Sequence, residues 1–304
     1  MTDRTPTQQD LMPLVIYHAN CVDGFTAAWV ADRALRRQGA DDVELFAAQH
    51  GNQPPDVTGR DVYIVDFSYA RDLLLQMRKV ARSIVVLDHH KTAQEALAGL
   101  DFCIFDMDRS GAGLAWWYFH EADAEVPDTP ALVRYVQDRD LWTFALSATK
   151  VIHAWLLSFD FDLVTWDDLA SKLEHIHGHS AAIHNGRAIL RAKERQVAKS
   201  CLSARIVTLD GHTFPAVNCP VHISDVAGQL ALESELGMAA CWFQALDGGI
   251  VWSLRSRGED APDVSAIAVA RGGGGNRNAA GFRVTLREHV CILAGAIDPA
   301  STPR

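Results

Sequence analysis

Asp88, His89 and His90 are consecutive, and a carboxylate with two imidazoles is a donor set suited to Mn2+, Co2+, Fe2+ or Zn2+. Alone, the tripeptide reads equally well as a helix-capping aspartate followed by two polar loop histidines. The stretch Tyr17-His-Ala-Asn-Cys-Val-Asp-Gly24 adds His18 and Asp23, which can point from one loop towards the same edge. Gly24 lets a helix start tightly behind them. Asp66 follows the apolar run of residues 61–65, again as a ligand or as a cap. Two more acids, Asp138 and Asp140, lie in Val136-Gln-Asp-Arg-Asp-Leu-Trp142. One of them can serve as a ligand while the other pairs with Arg139 or caps a helix.

These side chains need elements to position them. Residues 13–17, 43–48, 61–65 and 83–87 are short apolar runs that read as strands, and residues 25–37 and 70–82 carry apolar positions at helical spacing. Strands alternating with helices predict an α/β fold, a parallel sheet with helices on both faces. His18, Asp66 and Asp88 each fall at the C-terminal end of a predicted strand, the edge where open α/β sheets bind ligands. From about Thr149 to Leu202 the pattern is helical and polar, and residues 183–200 read as a long connecting helix. Beyond it, residues 205–209, 239–245 and 250–255 read as strands, followed by four glycines, Gly272 to Gly275. The expected division is a metal-binding domain over 1–150, a helical connector over 151–203 and a smaller α/β domain over 204–304, with the boundary near 185–203.

The ordered series resembles the motifs of the DHH phosphoesterase superfamily. His18 to Gly24 matches its first motif, Asp66 the second, Asp88-His89-His90 the third, and Asp138 best matches the aspartate of the fourth. The second half resembles the DHH-associated domain, whose Gly-Gly-Gly-His-x-x-Ala-Ala-Gly signature reads here Gly273-Gly-Gly-Asn-Arg-Asn-Ala-Ala-Gly281. Together they cover nearly the whole chain and look most like the nanoRNase and oligoribonuclease branch, related to RecJ. The resemblance implies two divalent cations, manganese first, with Co2+, Fe2+ or Zn2+ as alternatives. One would take His18, the position of Cys21, and Asp66; the other would take Asp23, Asp66, His89 and Asp138. It also implies that His90 meets the phosphate or the leaving oxygen and that Asp88 orients an imidazole. The implied reaction is hydrolysis of short oligonucleotides or dinucleotides to mononucleotides by a metal-activated hydroxide. Nucleoside bisphosphates, cyclic dinucleotides and a non-catalytic phosphate-binding role are the alternatives.

Two positions depart from the pattern. Cys21 stands where the family carries an aspartate; it is either a soft ligand that favours zinc or iron, or a small bystander. Asn276 replaces a histidine, so it can hydrogen-bond a phosphate oxygen but carries no charge. Gly273, Gly274, Gly275, Asn276 and Arg277, with Ala279-Ala280-Gly281 starting a helix, are expected to cradle an anion, and Arg255 is a second candidate clamp. The histidines at 175, 177, 179 and 184 lack a common helical face and read as a surface feature. Trp116, Trp117 and Tyr118 read as core packing.

The 304 residues carry a formal charge of −10, which argues against long duplex nucleic acid and leaves a short single strand or nucleotide as the expected partner. Six cysteines at 21, 103, 201, 219, 241 and 291 form no CxxC pair, so reduced thiols in a cytoplasmic protein are expected. Residues 1–9 are polar without an apolar signal core, and no apolar run reaches the ~20 residues that span a bilayer. No membrane association is expected, and a homodimer is compatible with the sequence, which does not fix the oligomeric state.

Overall fold

The apolar runs of the first half pair side by side in a computed structural model that describes residues 12–120, 128–258 and 260–295. Residues 1–9, read above for a signal core, lie outside them. The chain divides into two compact units, Met1–Leu190 and Arg191–Arg304.

In the first unit the order is β1 (Leu14–His18), α1 (Val22–Arg37), β2 (Glu44–Ala48), β3 (Asp61–Val65), α2 (Arg71–Val80), β4 (Ser83–Asp88), α3 (Lys91–Ala96), β5 (Cys103–Phe105) and α4 (Gly111–His120). Four helices come next: α5 (Ala131–Asp140), α6 (Thr149–Leu156), α7 (Leu163–Glu174) and α8 (Ile176–Cys201). The strands form one sheet in the order β2-β1-β3-β4-β5, all parallel.

Alternation along the strands builds a core on each face. Leu14, Ile16, Val62, Ile64, Ile84 and Val86 pack with Leu74 and Met77 of α2 on one side. Val15, Val65 and Leu87 turn the other way, onto α1, α4, α5 and α7. Trp116, Trp117 and Tyr118 of α4 are partly buried against that second core. The expected parallel α/β domain with helices on both faces is what forms.

The strand order reverses at β1, with β2 on one side and β3 on the other. Connections leaving these strands part company there and open a crevice at their carboxyl ends. Strand ends at His18, Val65 and Asp88 therefore deliver the candidate chemistry to one place.

The second unit holds β6 (Arg205–Leu209), β7 (His212–Asn218), α9 (Ile223–Glu233), β8 (Met238–Gln244), β9 (Ile250–Ser256), α10 (Val264–Val269), β10 (Gly274–Asn276), β11 (Ala279–Val284) and α11 (Leu286–Ala294). Its mixed sheet runs β10-β11-β9-β8-β7-β6, with β7 and β8 the parallel pair. The division between units falls inside α8, so α6, α7 and the first half of α8 belong with the first unit. Ala279-Ala280-Gly281, expected to start a helix, instead opens β11. Period-two burial of Ala280, Phe282 and Val284 decides this in favour of a strand. Among the described residues, no helix is long and apolar enough to cross a membrane.

Trp166 of α7 is fully buried, lies edge-on to Phe25 and Phe161 with ring centroids 5.0 Å away in each case, and donates its indole N–H to Thr26 Oγ1 at 3.0 Å. Trp166→Ala is expected to cost about 3–5 kcal/mol of unfolding free energy. Urea denaturation measures this; a loss under ~1 kcal/mol would contradict α7 as part of this core.

Candidate metal centre

Polar side chains from several elements converge at the C-terminal edge of the parallel sheet. His18 ends β1, Cys21 occupies the N-cap of α1, and Asp23 lies in the first turn of that helix. Asp66 follows β3, Asp88 ends β4 with His89 and His90 immediately after it, and Asp140 is the last residue of α5. His89 Nε2 stands 3.1 Å from Asp66 Oδ1, 3.5 Å from Asp140 Oδ2 and 3.8 Å from Asp23 Oδ2. On the other side of Asp66, His18 Nδ1 is 3.6 Å from Oδ2. Donor atoms therefore fall into overlapping groups with metal-ligand spacing: His18, Cys21 and Asp66; Asp66, His89 and His90; and Asp23, His89 and Asp140. Asp66 links the first two and His89 the last two.

Backbone geometry holds Asp66 in place. Its φ is +54°, the left-handed region that non-glycine residues rarely adopt, and such residues cluster at functional sites. Glycines surround it because nothing larger fits. A Cβ on Gly24 would come within 2.5 Å of the His18 carbonyl oxygen and 3.1 Å of Asp66 Oδ2, and one on Gly111 within 2.8 Å of Asp66 Cγ. Asp23 is fixed by the start of α4, accepting from Ser110 Oγ at 2.7 Å, Gly111 N at 2.6 Å and Ala112 N at 3.0 Å. A carboxylate there meets the positive end of the helix dipole.

Asp88 is held by its neighbours and orients them in turn. Its Oδ1 accepts from the backbone of His89 at 2.7 Å and from His90 Nδ1 at 2.6 Å, while Ser68 Oγ donates to Oδ2 at 2.6 Å. Because a carboxylate only accepts, His90 must carry a proton on Nδ1 here, which leaves Nε2 as its second ring nitrogen for another partner.

The charges explain the titration behaviour. Burial works against ionisation of Asp23, and the negative charges of Asp140 and Asp66 raise its pKa further. For Asp66, burial is outweighed by hydrogen bonds from His18 and His89, so its carboxyl stays well below the usual range. Burial disfavours the imidazolium of His89, yet Asp66, Asp140 and Asp23 prevail and push it up to about 10. His90 likewise rises to about 9 against its burial, through Asp88. Without a bound cation, protons on imidazole balance the acids.

No protein-family model matches the chain. It is 30% identical over 296 residues to the uncharacterized protein R106 of Acanthamoeba polyphaga mimivirus, covering 90% of this chain and 68% of the viral protein. Among solved structures, it is similar to the DHH domain of a member of the S1p family of ribosomal proteins, with a TM-score of 0.57, 14% identity and coverage of 93% of this chain and 85% of that one. Similar also is RecJ from Thermus thermophilus in complex with Mn2+, with a TM-score of 0.52 and 18% identity over 93% of this chain and 50% of RecJ, so the chain spans about half that protein's length. The fold of the chain is that of a DHH domain.

At this edge, His18, Asp23, Asp66, His89 and His90 come together as a cluster, with Asp88 bonded to His90. Asp138, matched above to the fourth motif, does not join it, and Asp140 stands there instead. The reason is local. Asp138 accepts from Thr143 Oγ1 at 2.6 Å, Ala145 N at 2.7 Å and Leu146 N at 3.1 Å, and also from Thr149 Oγ1. Four donors occupy its two oxygens, and its pKa is lowered because they outweigh its burial. Two residues apart on a helix means about 200° of rotation, so only one of the two acids can face the cluster. Thr143 and Thr149 downstream of Asp138 were the signal available in the sequence.

His50 was also missed. Its ring lies 4.6 Å from Phe67 and 5.8 Å from His18, beside the cluster. Among the described residues, His175, His177, His179 and His184 form no group with metal-ligand spacing. His179 Nε2 lies 2.9 Å from the Tyr135 hydroxyl.

In the second unit the candidate binding residues share one part of the sheet. Asn276, Ala279 and Arg255 are in register across β10, β11 and β9, so Asn276 and Arg255 lie on the same face with a small side chain between them. Arg255 donates to Ser224 Oγ at 2.7 Å, the Leu254 carbonyl at 2.7 Å and Ser253 Oγ at 3.1 Å. Arg277 donates to the Ala261 carbonyl at 3.1 Å. Gly273, Gly274 and Gly275 run against β11, where a Cβ on Gly275 would meet the backbone of Ala279 and Ala280.

Two measurements separate the roles of the acids. Asp138→Ala should cost roughly 1–3 kcal/mol of stability, because buried donors lose their acceptor. Asp140→Asn should leave stability within about 0.5 kcal/mol and weaken divalent-cation binding by roughly 10- to 100-fold. Isothermal titration with Mn2+ and urea unfolding check both; the reverse pattern would restore Asp138 as the ligand.

The raised histidines also predict a pH dependence. A histidine whose folded pKa exceeds its unfolded value of 6.5 stabilises fully below pH 6.5, and the benefit disappears as pH rises through about 9 to 10. Metal-free protein should therefore lose melting temperature over that window, and His90→Gln should flatten the fall. Melting curves in chelator across the window decide; an unchanged slope in the variant contradicts the charge balance.

Proposed function

We propose that this protein is a DHH-superfamily, divalent-metal-dependent phosphodiesterase that hydrolyses short oligonucleotides or dinucleotides to mononucleotides in the cytoplasm. The carrying observation is the position of Asp66, whose Oδ1 lies by His89 and whose Oδ2 lies by His18, so one carboxylate can serve two cations. The donor chemistry fits. Oxygen and imidazole nitrogen suit manganese, cobalt, iron or zinc, and the acids at this edge call for positive charge. Asp23, Asp66, His89 and Asp140 would hold one cation, and His18 with Asp66 would contribute to a second. A bound cation supplies Lewis acidity towards a phosphoryl oxygen and makes water acidic enough to act as a nucleophile at neutral pH.

The remaining residues bind and move protons. His90, anchored through Nδ1 by Asp88, would offer Nε2 to a phosphate or leaving oxygen. Ser68 locks Asp88 in turn. In the second unit, Arg255, Asn276, Arg277 and the glycines at 273–275 would bind a nucleotide. The acidic charge of the whole chain supports a short single strand over a long duplex.

Purified protein with Mn2+, Co2+ or Zn2+ should release mononucleotides from labelled di- to pentanucleotides, and a chelator should abolish this. Asp66→Asn should reduce turnover on the order of a hundredfold or more. If no metal supports turnover on this panel while nucleotide still binds, the protein is a binding module and not a hydrolase.

A further inference from the structure

Cys21 is placed as a metal ligand would be. Its sulfur lies within 4.8 Å of both a His18 ring nitrogen and an Asp66 carboxylate oxygen. Ligation at ~2.3 Å to sulfur and ~2.0–2.2 Å to nitrogen and oxygen puts tetrahedral donors roughly 3.3–3.7 Å apart. The His18 and Asp66 atoms already stand at 3.6 Å, so only the thiol has to close in.

Neither helix capping nor core packing accounts for the residue. Cys21 holds the N-cap of α1 with an extended backbone, φ −121° and ψ 130°, where serine, threonine, asparagine or aspartate would bond the first turn. Its side chain makes no full capping hydrogen bond, and the Gly24 backbone N–H is the amide of the first turn that faces the sulfur. It also belongs to neither apolar cluster of the first unit and stays partly exposed, whereas Cys219 and Cys241 are buried within an apolar cluster of the second unit.

We propose that Cys21 coordinates a metal through its thiolate, completing with His18 and Asp66 a mixed sulfur, nitrogen and oxygen site that selects Zn2+, Fe2+ or Co2+ over Mn2+ and Mg2+. The proposal rests on reading the cluster as a metal centre. As the sulfur–metal bond forms, the thiol proton leaves to solvent. Thiolate is a soft donor, and soft donors favour these ions over manganese and magnesium. The second group, Asp23, Asp66, His89 and Asp140, contains only oxygen and nitrogen donors and has no such preference built in. The centre is therefore asymmetric, with one thiolate-bearing position and one hard position sharing Asp66. The Thermus thermophilus RecJ structure, similar in fold, is a complex with Mn2+.

Cobalt reports on the coordinating sulfur directly. Full-length metal-free protein titrated with Co2+ should develop visible d–d bands and an intense near-ultraviolet sulfur-to-cobalt charge-transfer band. In Cys21→Ser the d–d bands should remain and the charge-transfer band should vanish. Equilibrium dialysis against mixed Zn2+ and Mn2+ should show the zinc preference falling at least about tenfold in Cys21→Asp, with circular dichroism confirming the fold of each variant. Visible bands without charge transfer in the wild type would overturn the thiolate while leaving the metal centre intact. Charge transfer that survives Cys21→Ser would assign the sulfur to another cysteine and overturn the proposal. No cobalt bands at all would overturn both the proposal and the metal-centre reading beneath it.

Discussion

Four carboxylates brought to one edge of a sheet repel one another, and the arrangement around them serves to hold that repulsion in place. Two like charges ~4 Å apart near a protein surface cost about 4 kcal/mol, so a cluster of Asp23, Asp66, Asp88 and Asp140 is tolerable only where opposite charge is near. Each acid meets it differently. Asp23 faces the N-terminus of α4, Asp88 is bridged to His90, and Asp66 and Asp140 share His89. The raised histidine pKa values show this balance from the other side. A cation that replaces those protons relieves the same repulsion without altering the scaffold, which couples metal affinity to pH.

The same constraint reaches into packing. For Asp66 to project into the crevice its backbone takes a left-handed conformation, and for α1 and α4 to approach it they need Gly24 and Gly111. Ser110 and Gly111, placed to cap Asp23, also begin the helix whose later residues fill the core against α1. The segment Ser110-Gly111-Ala112-Gly113 therefore tightens the helix pair and finishes the site. Substitution there disturbs packing and chemistry together.

Much of this was legible in the sequence, because strand-end positions and apolar alternation obey simple periods. His18, Asp66 and Asp88 could be placed at one edge from the runs that precede them, and β1, β3 and β4 formed where those runs lie. The second unit was harder. β7 contains Pro215, which argues against a strand within a sheet, and it was not anticipated. The alanines of β11 resembled a helix start because small residues carry a weak preference, and burial of Phe282 and Val284 overrode it. His50 gave no signal, since its place depends on a turn after β2 that no periodicity describes.

Asp138 and Asp140 show where spacing stops being informative. Both are acids on one helix, and motif order alone does not separate them; the residues downstream do. Thr143, Ala145, Leu146 and Thr149 fold back on Asp138, drawing the chain through left-handed conformations at Trp142 (φ +60°) and Phe144 (φ +50°). That turn stops α5 at Asp140, the residue that meets His89 at 3.5 Å. Asp138 thus acts on the centre without touching it, by fixing where the helix ends and so where its last carboxylate stands. An aspartate of this kind resembles a ligand in any pattern that counts residues, and only its hydrogen-bond partners reveal that its oxygens are already taken.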